Sequence, residues 1–231
     1  MKILKISDIG VIEKLKKFYL NEEGVLPIFD VEDVKVSEVE EKLKESLEDN
    51  DKVVSIANNH SLSFLLIKAF SEKYDNAGVI IFDGHPDCLN ENDLLPSLVN
   101  VLKKENIILV GIRNWRKEEF NFLKENKIRF FDMRKIVELG RNDVVETIME
   151  TARSFNALYV SVDMDVIDPA FAPGVNSLEP GGLTTRELLF FLHRLKKLQN
   201  LKAMDISEIN PSRDVKGITA KFGAKLIVEF C

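Results

Sequence analysis

The sequence predicts a single α/β domain, with a mostly parallel sheet held between two layers of helices in a three-layer α/β/α arrangement. Three observations carry this. Short, continuous apolar runs (VVSIA, VIIFD, IILVG, LYVSVD) have the length and character of strands buried on both faces. Segments of helical periodicity alternate with them along the chain, the order that a parallel sheet requires. No repeat, low-complexity tract or linker divides the 231 residues, so one domain over 1–231 is expected.

Taken in order, strands are expected at Lys2–Ile6, Lys52–Ala57, Gly78–Asp83, Ile107–Gly111, Ile128–Asp132, Leu158–Asp163 and Lys202–Ile206. Amphipathic helices are expected at Val36–Leu47, Leu62–Lys73, Lys117–Glu125, Val144–Ser154 and Thr185–Lys197. Thr184 sits where a helix cap belongs, and Glu187 three residues later completes a capping box.

Composition narrows the function classes. A hydrophobic content of 45% excludes disorder as the main state. A net charge of -6 excludes a basic protein that coats nucleic acid. No apolar run reaches the roughly 18 residues of a membrane span, and Asp8 interrupts the apolar start of MKILKISDIG, so neither membrane partner nor signal peptide is expected. Cys88 and Cys231 are the only cysteines, which rules out a disulfide framework and points to the cytoplasm.

Ligands in open α/β sheets bind beyond the carboxyl ends of the strands. Here those ends are rich in chemistry. VVSIA is followed by Asn58-Asn59-His60-Ser61, VIIF by Asp83-Gly84-His85-Pro86-Asp87, LYVSV by Asp163-Met164-Asp165, and AMDIS by Glu208-Ile209-Asn210-Pro211. Were the backbone to stay extended, Asp83, His85 and Asp87 would project to one side, as would Asp163 and Asp165. Carboxylates gathered at the mouth of apolar strands are costly to desolvate without cations. Two divalent ions would resolve the cost, with His60 and His85 as neutral nitrogen ligands. Carboxylate-rich ligation with some imidazole suits Mn²⁺ first, then Zn²⁺, Co²⁺ or Ni²⁺. Each motif alone has an ordinary reading as loop, cap or turn; their recurrence at successive strand ends favours metal. His193, in RELLFFLHRL, reads as a helix-surface or packing residue far from the carboxylates, and Cys88 as a space filler.

These residues resemble a family, the ureohydrolases (arginase, agmatinase, formimidoylglutamase). SVDMDVIDPAFAPGVNSLEPGG, Ser161 to Gly182, matches the family's third signature throughout, and FDGHPD resembles its second, with Gly84 where Ala or Ser is usual. VGIRN is similar to the family's Gly-Ile-Arg strand end, and EINPSRD with ITAKFGAKLIVEF to its closing strand, loop and terminal helix. The likeness runs from about Val53 to the C-terminus.

The resemblance implies an arginase-like fold and a two-manganese centre. His60, Asp83, Asp87 and Asp163 would hold one ion, and His85, Asp83, Asp163 and Asp165 the other, with Asp83 and Asp163 bridging. It further implies that a hydroxide shared by the metals attacks a guanidinium carbon, that Asp87 orients it, and that Glu208 accepts hydrogen bonds from the substrate's amidine nitrogens. Agmatine is the expected substrate, because nothing in the sequence looks built for an α-carboxylate and α-amino pair; arginine and formimidoylglutamate are alternatives. Homo-oligomers, trimers or hexamers, are implied as well. Two departures bear on turnover. Neutral Asn59 stands where a carboxylate usually precedes the metal-binding histidine. The loop CLNENDLLPSLVNVL lacks the histidine that shuttles a proton to the leaving group. Asp87, Glu91, Asp93, a neighbouring subunit or, remotely, His193 would then supply the proton. The competing reading is a metal-binding homologue that has lost turnover and serves as a partner or regulatory subunit.

Overall fold

The computed structural model describes residues 1–18 and 20–231. Among them, eight strands form one sheet: β1 Lys2–Lys5, β2 Asp30–Asp33, β3 Val53–Ile56, β4 Ala77–Phe82, β5 Ile107–Ile112, β6 Arg129–Asp132, β7 Ala157–Asp163 and β8 Leu201–Ser207. Their order is β2-β1-β3-β8-β7-β4-β5-β6, and every pairing is parallel. The seven expected strands are all present, with ends shifted by a residue or two.

Strand β2 escaped the sequence reading because DVED has no apolar residue but Val31. It is an edge strand, and charge pairs rather than burial hold it: Lys2 Nζ lies 2.8 Å from both Asp30 and Glu32, and Lys5 Nζ 2.6 Å from Asp33. Charged side chains on an edge also discourage further strand addition.

The inner strands alternate their side chains between two cores. Ile80, Phe82, Val160, Val162, Met204 and Ile206 pack on one face against α1 (Val11–Leu15), α6 (Met133–Leu139), α7 (Arg141–Ala152), α8 (Thr185–Leu195) and α9 (Ile218–Phe230). Val79, Ile81, Leu109, Tyr159 and Ala203 pack on the other against α2 (Val39–Asp49), α3 (Ser63–Lys73), α4 (Leu94–Leu98) and α5 (Lys117–Glu125). This is the expected three-layer architecture. Thr184 caps α8, with Glu187 completing the capping box. The short helices α1, α4 and α6 lie outside the expected set, since one or two turns carry too little periodicity to stand out.

His193 differs from its expectation in one respect. It lies on α8 and is half-buried, but it is paired: its Nε2 is 2.8 Å from Oε2 of the fully buried Glu229 on α9. Glu229 also accepts from Lys225 and, at 2.9 Å, from the amide of Glu22. Burial alone would raise its pKa, but these donors hold it below the usual glutamate value.

Register is what builds the site. Ile56 pairs with Ile206, Ile206 with Val162, and Val162 with Phe82. Strands β3, β8, β7 and β4 therefore end level with one another, although of their three neighbour relations only that of β7 with β8 joins strands consecutive in the chain. Loops leaving a reversal of strand order diverge and open a crevice.

Candidate metal centre and active site

Three of the four level strand ends deliver His60, Glu208 and Asp163 to one cleft of about 430 Å³. Its wall also includes His85, Asp87, Asp93, Glu119, Asp165, Asn176 and Ser177. Of the residues singled out from the sequence as ligand or reader, only Asp83 does not line it; that carboxylate is buried, its Oδ2 3.0 Å from His60 Nδ1.

The convergence is not achieved as the spacing suggested. Strand β4 ends at Phe82, so Asp83 to Asp87 are not extended backbone. Instead Asp83 Oδ1 accepts from the amide of His85 at 2.7 Å and folds the loop back over the strand end. Asp87 has a φ of 49° and Glu208 of 62°, both left-handed. Strain of this kind collects where function over-determines the backbone. Likewise Asp165 stands on one turn of 3₁₀ helix, Met164–Val166, whose amide donates 2.8 Å to Asp163 Oδ1. His60 opens a similar turn, His60–Leu62, capped by Asn59 Oδ1 accepting from Ser61 N at 2.7 Å. Asn59, read as a lost carboxylate, thus serves as a helix cap.

Two groups of ligand atoms lie close enough to share a cation: His60, Asp83 and Asp163, and Asp83, His85 and Asp165. Asp83 belongs to both. His60 Nδ1 is 3.0 Å from Asp83 Oδ2, 3.2 Å from Asp87 Oδ2 and 3.3 Å from Asp163 Oδ2. His85 Nδ1 is 2.9 Å from Asp165 Oδ2 and 3.7 Å from Asp83 Oδ1. Asp163 joins the first group only.

Burial and crowding govern the charge. Burial, with Asp87 and Asp165 nearby, raises Asp83 to about 8. Burial, Asp165 and Asp83 together push Asp163 well above the carboxylate range. The hydrogen bond to Asp165 raises His85 to about 9 against the opposing effect of burial. Burial disfavours charge on His60, but Asp83, Asp87 and Asp163 outweigh it and raise this imidazole too. Asp165 remains below its ordinary value: burial pushes it up, and His85 and the Gly84 amide prevail.

Left to themselves, these groups must share protons. Divalent cations would replace those protons with charge at the centre of the cluster. Asp83 Oδ2 shows the fit directly: it is buried and receives no aligned hydrogen bond. The His60 ring is also set for a metal. Ser161 Oγ donates to Asp205 Oδ2 at 3.3 Å, so it accepts from His60 Nε2 at 3.1 Å, which leaves Nδ1 as the nitrogen that would give up its proton and turn its lone pair to a cation.

Two side chains unremarked in the sequence organise this centre. Asp205, fully buried in β8, accepts from Ser161 and, at 2.7 Å, from Ser63; a carboxylate inside the apolar run AMDIS was its visible signal. Arg113, noted only as part of VGIRN, spans the loops, with Nη2 donating to the carbonyls of Asp165 at 2.6 Å and Glu179 at 2.8 Å. Its guanidinium explains Gly84: a Cβ there would stand 2.6 Å from Arg113 Nη1.

The remaining candidates are placed as follows. Cys88 is buried, its thiol raised to about 12 chiefly by burial, which suits a space filler. Asp93 lines the cleft, whereas Glu91 and His193 do not. No helix among the described residues is long and apolar enough to cross a membrane.

Comparison with known proteins gives the family and the fold. The chain is 31% identical over 255 residues to an arginase of Staphylococcus aureus (strain MRSA252), covering 98% of this chain and 84% of that one. It is 30% identical over 202 residues to an agmatinase of Bacillus subtilis (strain 168), covering 83% and 67%. The crystal structure of formimidoylglutamase from Bacillus subtilis superposes with a TM-score of 0.89 at 21% identity, covering 99% of this chain and 84% of that one, a likeness of fold. A model of the arginase family matches residues 2–231, extending the resemblance over the first fifty residues, and the chain belongs to the arginase family.

Proposed function

We propose that this protein hydrolyses a linear guanidino compound at a two-manganese centre, with agmatine as substrate and urea as product. The carrying observation is the pair of ligand groups sharing Asp83, set beside Glu208 at the level ends of four strands. Manganese bound there would supply a water acidic enough to ionise near neutral pH and positive charge opposite the developing anion.

The protein's own groups do the rest. Asp83, Asp163 and Asp165 with both histidines hold the ions, and Asp87 contributes beside His60. Glu208 accepts from the substrate's nitrogens and fixes the guanidinium carbon. Asp87, the partly exposed carboxylate beside His60, carries the proton toward the departing amine, with Asp93 as the other candidate on the cleft wall. The far wall supports a second positive charge on the substrate: Asp93 and Glu119 face the cleft, and no Lys or Arg lines it among the described residues. That favours a diamine-like tail over the carboxylate tails of arginine or formimidoylglutamate.

A catalytically silent homologue is the second reading. It draws on one observation, that the only imidazoles lining the cleft are His60 and His85, both within the ligand groups. We also propose a cytoplasmic homo-oligomer, on the cysteine usage and the family resemblance.

Release of urea from agmatine or arginine, or of formamide from formimidoylglutamate, by the manganese-loaded protein tests the reading. Agmatine is expected to be the preferred substrate, and Glu208→Gln to lower its turnover roughly 10²-fold or more with metal retained. Metal-loaded protein that releases neither urea from agmatine or arginine nor formamide from formimidoylglutamate would hand the case to the silent homologue.

A further inference from the structure

The loop after β7 carries an amide that donates to the guanidinium reader. Asn176 Nδ2 lies 3.2 Å from Glu208 Oε2, while the other Glu208 oxygen, Oε1, accepts from the His60 amide at 2.9 Å. Both oxygens of Glu208 are thus engaged once, and each keeps a lone pair. A carboxylate pinned in this way is oriented and still fully charged.

The orientation of Asn176 is itself determined. Its Oδ1 accepts from Asn210 Nδ2 at 2.7 Å, so the amide nitrogen must be the atom that faces Glu208. The backbone is tied down as well. Arg213 Nη1 donates to the Asn176 carbonyl at 2.9 Å, the Asn210 amide donates to Gly174 O at 2.8 Å, and Val175 and Ile209 form an antiparallel bridge. The loop after β7 is therefore zipped to the loop after β8 directly over the metal-ligating strand ends. Arg213 stands near, yet its guanidinium goes to a backbone carbonyl and leaves Glu208 without a cationic partner among its hydrogen bonds.

We propose that Asn176 is a positioning residue that sets the Glu208 carboxylate to receive a cationic guanidinium, with Asn210 fixing the direction of its amide. The assignment rests on Glu208 reading the substrate as proposed above. A neutral donor suits this task, since a lysine or arginine at the same place would cancel the charge the substrate needs. The predicted chain is Asn210 to Asn176 to Glu208 to substrate, with no contact between either asparagine and the metals.

A double-mutant cycle tests it. Asn176→Ala, Glu208→Ala and the double variant are loaded with manganese, metal content is checked by elemental analysis, and agmatine binding is measured by calorimetry. Asn176 is exposed, so its variant is expected to fold and to bind metal as wild type does. Asn176→Ala should weaken agmatine binding about tenfold, the usual scale for one hydrogen bond to a charged group. In turnover it should raise KM by the same factor and change kcat less than about threefold. Asn210→Ala should shift KM in the same direction by less. In the Glu208→Ala background, removing Asn176 should change nothing further. If Glu208→Ala weakens binding and Asn176→Ala does not, the positioning role is overturned and the reading of Glu208 stands. If Asn176→Ala is as damaging without Glu208 as with it, Asn176 acts by another route and the proposal falls. If wild type fails to bind agmatine, or Glu208→Ala binds it unchanged, the reading of Glu208 is wrong and this inference goes with it.

Discussion

The Nε2 atom of His60 lies 3.1 Å from Ser161 Oγ, and that hydroxyl is already committed as a donor to the buried Asp205. The imidazole must therefore carry a proton on Nε2. Its Nδ1 then points at Asp83, Asp87 and Asp163, holding a proton in the metal-free protein and offering its lone pair once a cation displaces that proton. A ligand held in this way is preorganised, and the partner behind it matters nearly as much as the ligand.

Ser161→Ala is accordingly expected to weaken manganese binding roughly 10–100-fold while leaving the fold intact. Competition against a fluorescent chelator reads this directly. Asp83→Ala, which removes the buried ligand common to both groups, should lose metal far more completely. Equal affinity in wild type and Ser161→Ala would show that the Ser161–Asp205 pair does not orient His60.

Metal binding should release protons. The metal-free centre holds Asp83 near 8 and His85 near 9, so both groups are substantially protonated at neutral pH and must give up their protons to bind a cation. Apparent affinity is expected to rise with pH up to about 9. Stability of the metal-free protein should move the other way. Both folded-state pKa values lie above their ordinary ones, 3.8 for Asp83 and 6.5 for His85, so the folded state binds the extra protons, and stability falls as pH rises from about 4 through about 9. Calorimetry in buffers of different ionisation enthalpy counts the protons, and thermal melts with and without chelator follow the stability. Affinity that is flat between pH 6 and 8 would contradict the charge assignment.

Gly84 and Arg113 should behave as a pair. A Cβ on residue 84 would lie 2.6 Å from Arg113 Nη1 and 3.0 Å from Asp165 Oδ1. The guanidinium cannot yield freely, because it bonds the carbonyls of Asp165, Val166 and Glu179. Gly84→Ala is expected to destabilise by about 1–3 kcal/mol, the range for forcing extra volume into a packed place, and to reduce manganese affinity through Asp165. With Arg113→Ala already present, the same change should cost less than about 0.5 kcal/mol. Denaturant midpoints of the four proteins decide it; additive costs would mean that the two residues do not share the space.

Much of this protein was legible in the sequence. Runs such as VIIFD and LYVSVD announce strands buried on both faces because both neighbouring layers demand apolar side chains at every position. The family signatures likewise name His60, Asp83, His85, Asp87, Asp163, Asp165 and Glu208; six of them line one cleft, and the buried Asp83 lies against His60. What the sequence by itself determined was the set of buried strands and the chemistry waiting at their ends. Only the tertiary structure decided how that chemistry converges. Level strand ends depend on pairings such as Ile56 with Ile206, between residues 150 positions apart in the chain. Asp87 and Glu208 adopt left-handed backbone that no alternation rule anticipates. Edge strand β2 exists because Lys2 and Lys5 are beside it, and Asn176, an ordinary loop residue in the sequence, meets Glu208 only after two loops are zipped together. Local pattern reports what each segment must bury; the partners of a charge or a hydrogen bond are chosen by contacts that form across the chain.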